Sequence, residues 1–271
     1  MNIWITGASS GIGQATAYEA ARRGDSLILT SRESSNLDFT AIECTRLGAA
    51  GVKVLPFDLS RTEGLEELAE QAWNAFEGGI DLLFCNAGQS QRTKVLDTDE
   101  AMLRRIMELN YFTPALLSKI ILGKMLSREA TRKICGKPVK GQIAVTTSIN
   151  GRFGFPLRCG YSSSKHAIYG FFETMAAEYW KEGIRVTIVC PGRVQTNISL
   201  HALEKGGKEH GVMDPGQAKG LTSEKAGKKI YKAFLKGKRE VLVGKGELIM
   251  VYIKRFFPYL CSVISRNIKS M

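Results

Sequence analysis

The 271-residue sequence is poor in several features, and each shortage excludes a class of protein. No stretch reaches the roughly 18 to 20 uncharged apolar residues that a bilayer-spanning helix requires. The cysteines, Cys44, Cys85, Cys135, Cys159, Cys190 and Cys261, form no CxxC pair and no metal-type spacing. Neither a disulfide framework nor a metal centre is therefore expected. Several of these thiols fall in apolar runs, where a free cysteine packs as a small hydrophobe, and a reducing, cytoplasmic compartment follows. No basic region with an apolar stretch and cleavage site precedes the first strand, so no secretory leader is expected. Acidic residues are also scarce, 26 against 38 Lys and Arg, which leaves a formal net charge of +12. The excess gathers at 124–140, 205–239 and the C-terminus, and suits nucleic acid, an anionic membrane or an anionic cofactor. The basic stretches lack interleaved aromatics and any nucleic-acid motif, so nucleic acid is not an expected partner.

What is present is a regular alternation. Short apolar, β-branched runs at Asn2–Thr6, Ser26–Thr30, Val52–Phe57, Leu82–Asn86, Ile143–Ser148 and Arg185–Cys190 read as buried parallel strands. Helical spacing fills Gly13–Arg23, Glu63–Phe76, Glu100–Met125 and Ser162–Lys181 between them. A further strand is expected at Glu240–Val243, after a helix over Ser223–Leu235. Strand-helix alternation at this pitch predicts an α/β fold: one Rossmann-type doubly wound parallel sheet of about seven strands, with helices on both faces. No repeat, low-complexity segment or linker divides 1–271, so one domain is expected. Residues 127–140 read as an irregular basic connection, and 196–221 as a Gly-rich loop at the mouth of a pocket that 89–95 and 149–160 are expected to shape with it.

The first strand runs into Thr6-Gly7-Ala8-Ser9-Ser10-Gly11-Ile12-Gly13 and then into a helix. Glycines allow a tight turn and close backbone approach to a pyrophosphate, while the helix N-terminus offers free N–H groups. Gly7, Ser9, Ser10, Gly11, Ile12 and Gly13 are accordingly expected to hold a dinucleotide. At the end of the second strand an NAD site would carry an acid for the ribose 2′-hydroxyl. Here Ser31 stands in that place, followed by Arg32, whose guanidinium suits a 2′-phosphate. The next carboxylate, Glu33, lies beyond it. NADP(H) is the cofactor this arrangement favours.

Tyr161 and Lys165 are four residues apart on a predicted helix and share one face. A phenol ordinarily titrates near 10, and a nearby ammonium is expected to lower that value towards useful acid-base range. Ser148, at a strand end, can donate a hydrogen bond to an oxygen on which charge develops. Together they predict proton transfer beside a hydride-carrying cofactor.

With those residues in place, the chain resembles the short-chain dehydrogenase/reductase superfamily over nearly its whole length. The glycine loop at 6–13, Asn86-Ala87-Gly88, the set Ser148, Tyr161 and Lys165, and Pro191-Gly192 follow in family order. The resemblance implies that Asp58 and Leu59 contact adenine, and that Asn86, Ala87 and Gly88 line the adenine-ribose side. It implies that Asn110 holds a proton-relay water, completing a catalytic set of Asn110, Ser148, Tyr161 and Lys165. Pro191, Gly192, Val194 and Thr196, within PGRVQT, are implied on the cofactor side, Thr196 against the nicotinamide carboxamide. A homodimer or homotetramer through the helices of Asn110 and Tyr161 is also implied. The phrases CNAGQSQR, YSSSKHAIYGFFETM and HGVMDP resemble a membrane-associated subgroup acting on steroids, retinoids and other lipophilic carbonyls. Cys85 departs from the usual asparagine of the Asn-Asn-Ala-Gly turn, the 127–140 segment is longer than usual, and no N-terminal anchor is expected.

The leading expectation is thus an NADP(H)-dependent oxidoreductase interconverting a carbonyl and an alcohol on a lipophilic or xenobiotic substrate. A catalytically silent NADP-binding sensor or scaffold is the rival reading. Residues 247–271, apolar but interrupted by Lys254, Arg255, Pro258, Arg266 and Lys269, either cap the pocket or pack on a neighbouring subunit, or meet a membrane interface. A peripheral membrane protein recruiting partners through this tail is the third reading.

Overall fold

The computed structural model describes residues 1–32 and 35–267, so Glu33 and Lys269 lie outside the described residues. Its strands are β1 (Asn2–Thr6), β2 (Ser26–Thr30), β3 (Gly51–Val54), β4 (Leu82–Cys85), β5 (Arg132–Ile134), β6 (Lys137–Val139), β7 (Gly141–Thr146), β8 (Ile184–Pro191) and β9 (Glu240–Val243). The helices are α1 (Gly11–Ala21), α2 (Ser35–Arg46), α3 (Leu65–Trp73), α4 (Glu100–Met107), α5 (Thr113–Leu126), α6 (Cys159–Glu178), α7 (Pro215–Ala218), α8 (Ser223–Leu235), α9 (Ile249–Phe256) and α10 (Pro258–Asn267).

Seven strands pair in the order β3-β2-β1-β4-β7-β8-β9, every neighbour parallel, while β5 and β6 form a separate hairpin. Alternation along each strand sends side chains to opposite faces. In β1, Ile3 and Ile5 pack with Ala17, Ala20, Ile230 and Phe234 of α1 and α8. Trp4 between them turns to the other face, with Leu68 of α3, Ile121 of α5 and Phe172 of α6. Its indole donates to the Thr30 hydroxyl at 2.9 Å, so the large ring is buried with its polar atom satisfied. Strand order reverses beside β1 and β4, and the crevice at their carboxyl ends is where this architecture leaves room for a ligand.

Four local features differ from the sequence expectation. Helix α2 carries no readable apolar stripe, because it buries Leu37, Thr40 and Cys44 and exposes Phe39 and Ile42. The single helix expected over Glu100–Met125 is α4 and α5 joined by a π-helical turn, Glu108–Phe112, that swings Asn110 inward. The basic stretch 127–140 contains the β5–β6 hairpin, turning at Cys135 and Gly136, both with positive φ (49° and 77°). Such a two-residue turn matches strand twist, but cysteine in place of asparagine hides it. Strand β3 stops at Val54, although the Leu55 and Phe57 N–H groups still donate to Leu29 and Ser31; Pro56 has no N–H to give.

The C-terminal helices turn back onto the sheet's ligand end. Met250 and Cys261 pack against Phe153 of the same chain. Tyr252, Phe256, Phe257, Tyr259 and Leu260 nevertheless stay exposed. Among the described residues no helix is long and apolar enough to cross a membrane.

Candidate active site

A cavity of about 440 Å³ opens at the carboxyl ends of the strands. Of the residues singled out from the sequence, Gly7, Ser9, Ser10, Gly11, Ile12, Ser31, Arg32, Asp58, Leu59, Asn86, Ala87, Gly88, Ser148, Tyr161, Lys165, Pro191, Gly192, Val194 and Thr196 all line it. Gly13 and Asn110 sit one layer behind.

The glycine loop is shaped by close approach. Gly7 and Gly11 have φ of +65° and +58°, and a Cβ on Gly13 would lie 2.2 Å from the Gly7 carbonyl oxygen. Thr196 covers the loop, so that a Cβ on Gly11 would come within 2.9 Å of its methyl group. Ser10 enters α1 with extended backbone and makes no side-chain cap. The first N–H groups of α1 therefore have no capping side chain from Ser10, and they carry the positive end of the helix dipole. Uncapped amides and a cradle without Cβ atoms fit the pyrophosphate of a dinucleotide.

The flanking positions are equally determined. The Thr6 hydroxyl accepts from the Asn86 and Ala87 N–H groups at 3.0 and 3.2 Å, and Thr146 donates to the Asn86 side chain at 3.0 Å. At the far end, Ser31 bonds Ser9 at 3.0 Å, and Arg32 is exposed on the cavity wall. The Ser60 N–H and hydroxyl hold the Asp58 carboxyl below its usual range, with Arg32 and Arg61 adding to the effect.

Ser148, Tyr161 and Lys165 meet at the other end. Tyr161 and Lys165 are buried on α6, and the Lys165 ammonium donates to the Thr146 carbonyl at 2.9 Å. Burial pulls Lys165 down to about 8. Burial also pushes the Tyr161 phenol above its ordinary value, against the opposing pull of the Ser148 hydroxyl and the Arg158 charge. This corrects the sequence expectation of a lowered phenol: Lys165 lies 5.8 Å from the ring centroid and is turned towards Thr146. Desolvation outweighs the cations.

Asn110 takes both backbone groups of Gln89, accepting from its N–H at 2.9 Å and donating to its carbonyl at 3.0 Å, and also donates to Ser164 at 3.0 Å. A Cβ on Gly88 would sit 3.1 Å from the Asn110 oxygen and 3.4 Å from the Lys165 nitrogen, so the two side chains flank one glycine.

Several groups fall in the segments 89–95, 149–160 and 196–221 expected around the pocket, but have no individual role read from the sequence. Gln91, fully buried, accepts from the Gly160 and Tyr161 N–H groups at 2.8 and 3.1 Å, where α6 has no cap of its own. Arg158 and Asp214 line the cavity, and Arg92 pairs with Asp214 from behind. Phe153, Phe155, Ile149 and Met250 supply an apolar wall. Gln91, Arg92 and Asp214 do stand inside phrases that carried the family likeness, but nothing in their spacing reveals these long-range partners.

A family model described as short chain dehydrogenase matches residues 1–205. Dehydrogenase/reductase SDR family member 7B of Xenopus laevis is 33% identical over 272 residues, covering 98% of this chain and 81% of that protein. An alcohol dehydrogenase from the archaeon Thermococcus sibiricus, complexed with 5-hydroxy-NADP, is 25% identical with a TM-score of 0.73, covering 90% of this chain and 96% of that one. A short chain dehydrogenase/reductase from Burkholderia phymatum, in complex with NAD, shares the fold at a TM-score of 0.79 and 22% identity, over 96% and 94% of the two chains.

Proposed function

The chain belongs to the short-chain dehydrogenase/reductase family, and from that premise we propose an NADP(H)-dependent reductase of a carbonyl with a substantial apolar part. Membership makes it an NAD(P)-dependent oxidoreductase acting between CH–OH and C=O groups. The observation that carries the finer reading is the single cavity shared by the glycine loop, Arg32 and the set Ser148, Tyr161 and Lys165. Relatives of this fold hold NADP-type or NAD cofactors, so preference rests on Arg32 following Ser31 where an acid would select NAD.

In this mechanism a bound nicotinamide supplies or accepts the hydride. The raised Tyr161 phenol is protonated at neutral pH, which suits it to give a proton to the carbonyl oxygen during reduction. Ser148 donates a hydrogen bond to the same oxygen as charge builds on it. Lys165, its ammonium fixed by the Thr146 carbonyl and 5.8 Å from the Tyr161 ring centroid, would hold the nicotinamide ribose. Asn110 holds the Gln89 backbone and stands beside Lys165, where the expected water relay to bulk solvent begins. The wall of Phe153, Phe155, Ile149 and Met250 receives the apolar part of the substrate.

The test follows NADPH absorbance with a panel of ketones and aldehydes. Tyr161→Phe is expected to reduce turnover by about 10²-fold or more while NADPH still binds. Undiminished turnover in that variant removes the catalytic assignment and favours the silent sensor.

A peripheral membrane contact is favoured by one further observation. Tyr252, Phe256, Tyr259 and Leu260 on α9 and α10, and Phe257 between the two helices, are exposed beside Lys254, Arg255 and Arg266. Aromatic residues with basic neighbours suit an anionic lipid interface. Sedimentation with phosphatidylserine vesicles, lost in a Phe256→Ser, Phe257→Ser double variant and at high salt, supports it; no sedimentation removes it. Phe112 and Leu116, exposed on and beside α5, suit packing by a second copy, which light scattering tests.

A further inference from the structure

The reductase reading leaves the substrate class open, and a buried, loosely paired guanidinium on the cavity wall deepens it. We propose that Arg158 is an anion-selecting residue, so that the substrate is a carbonyl compound bearing an ionised acid group, such as a carboxylate, near the reacting carbon.

Arg158 stands three positions before Tyr161, at the N-terminal boundary of α6. It is 9% exposed, lines the cavity, and donates to the Gln91 carbonyl. Arg92, buried behind it, places Nη2 2.5 Å from Asp214 Oδ2, whereas Arg158 Nη2 is 3.9 Å from the same oxygen. The other oxygen of Asp214 accepts from the Gly216 N–H at 2.9 Å as the cap of α7. One carboxylate thus serves two guanidinium groups and a helix start, and it sits closer to Arg92 than to Arg158.

No carboxylate other than Asp214 is paired with Arg158 among the described residues. Among the described residues, the remaining acids of the cavity wall are Asp58, bound to Ser60 at the opposite end, and Glu247, which accepts from the Arg193 and Lys245 N–H groups at 2.7 and 3.1 Å. A buried cation whose paired carboxylate stands 3.9 Å away is costly, and a ligand anion offsets that cost. Burial, with the like charge of Arg92 next, pulls Arg158 down to about 10, which leaves it charged at neutral pH but poorly compensated. Guanidinium geometry matches a carboxylate with two parallel hydrogen bonds.

The position of Arg158 sets the shape of the ligand. Arg158 and Tyr161 stand three positions apart at the start of α6 and both line the cavity, so an anion bound at Arg158 lies a few bonds from a carbonyl held by Tyr161 and Ser148. An anion in that place also favours the protonated phenol that reduction needs. The apolar remainder then faces Phe153, Phe155 and Met250. The substrate class is an amphipathic oxo acid or its hydroxy acid, in place of a neutral lipid.

Two measurements on the NADP-loaded full chain test this. Calorimetric titration compares 3-phenylpropanoate with 3-phenylpropanamide, so the anion site is judged without turnover. Binding of the acid at least about tenfold tighter than the amide, lost in Arg158→Met and largely kept in Arg158→Lys, supports the proposal. Equal binding of the two, or binding of neither, overturns it. The second measurement follows NADPH oxidation with phenyl oxo acids of increasing spacer length, each beside its methyl ester. A wild-type preference for the acid in kcat/KM that collapses in Arg158→Met through KM is the expected result. A parallel loss for acid and ester would mean that Arg158 only tethers the 214 loop. If the methionine variant does not fold, Asp214→Asn, which removes the competing carboxylate, is expected to tighten acid binding; unchanged or weaker binding counts against the proposal. Absence of turnover with every compound defeats the reductase reading, while the titration still decides the anion site.

Discussion

The side-chain oxygen of Gln91 accepts a hydrogen bond from the Tyr161 N–H at 3.1 Å, and another from the Gly160 N–H at 2.8 Å. The Gln91 amide nitrogen donates in turn to the Thr93 and Thr98 hydroxyls at 2.7 and 2.8 Å. Helix α6 lacks a capping side chain at its own boundary, so a residue from the segment after β4 supplies the cap. That bond ties the height of Tyr161 to the loop whose next anchor is Gln89, held by Asn110. Gln91 is a positioning residue: it touches the backbone of the proposed acid without reaching the reacting atoms.

Replacing Gln91 by alanine strips the cap and leaves the buried Gly160 and Tyr161 N–H groups without their acceptor. A stability loss of about 1–3 kcal/mol is expected in chemical denaturation. Turnover should fall about tenfold or more through kcat, with the NADPH dissociation constant little changed. A rise in KM alone, with kcat preserved, would show that the cap does not position Tyr161.

Much of this fold is legible because its signals are local. The short apolar runs of β1, β2, β4, β7 and β8 announce buried strands, and Tyr161 and Lys165 share a face by helical spacing alone. Helix α2 is not legible, since Thr40 occupies the middle of its buried stripe and Phe39 faces solvent. The Arg92–Asp214 pair spans 122 residues and depends on how the 196–221 loop folds back. The direction of the Tyr161 shift also lay beyond sequence: spacing places a cation nearby, but only packing shows that desolvation is larger.

Gly13→Ala tests the loop's steric logic. The added Cβ would stand 2.2 Å from the Gly7 oxygen and 2.7 Å from the Asn86 amide nitrogen, so backbone must move. Destabilisation of about 1–3 kcal/mol and at least about tenfold weaker NADPH binding by fluorescence titration are expected. Gly123→Ala is the control, because a Cβ there meets nothing within 4 Å inside α5. It should be neutral or stabilise by about 0.5–1 kcal/mol. Similar losses in both variants would contradict the steric argument.

Arg32→Ala addresses cofactor choice. If the guanidinium pairs with a 2′-phosphate, NADPH binding weakens by about 10–100-fold while NADH binding holds steady. The exposure of Arg32 places the effect towards the lower end and makes it salt-sensitive. Equal weakening of both cofactors would assign Arg32 to general attraction of the pyrophosphate instead.

Lys165 gives a stability prediction with a defined pH window. Burial lowers its folded-state value from 10.5 to about 8. Between those values the unfolded chain binds the proton and the folded chain does not, so stability rises with pH across the window. Below about pH 8 both states are charged and the full cost of burying the ammonium is paid; above about 10.5 both are neutral and the cost is gone. The interval corresponds to about 3 kcal/mol. Lys165→Met has no such group, and its packing differences do not titrate. Measured by urea denaturation, the stability of the methionine variant relative to the parent should therefore be greatest near neutrality and shrink by up to about 3 kcal/mol towards pH 10.5. A relative stability that stays constant from pH 7 to 10.5 would mean that Lys165 keeps its ordinary value in the folded chain, and that the contact with Thr146 compensates the burial in full.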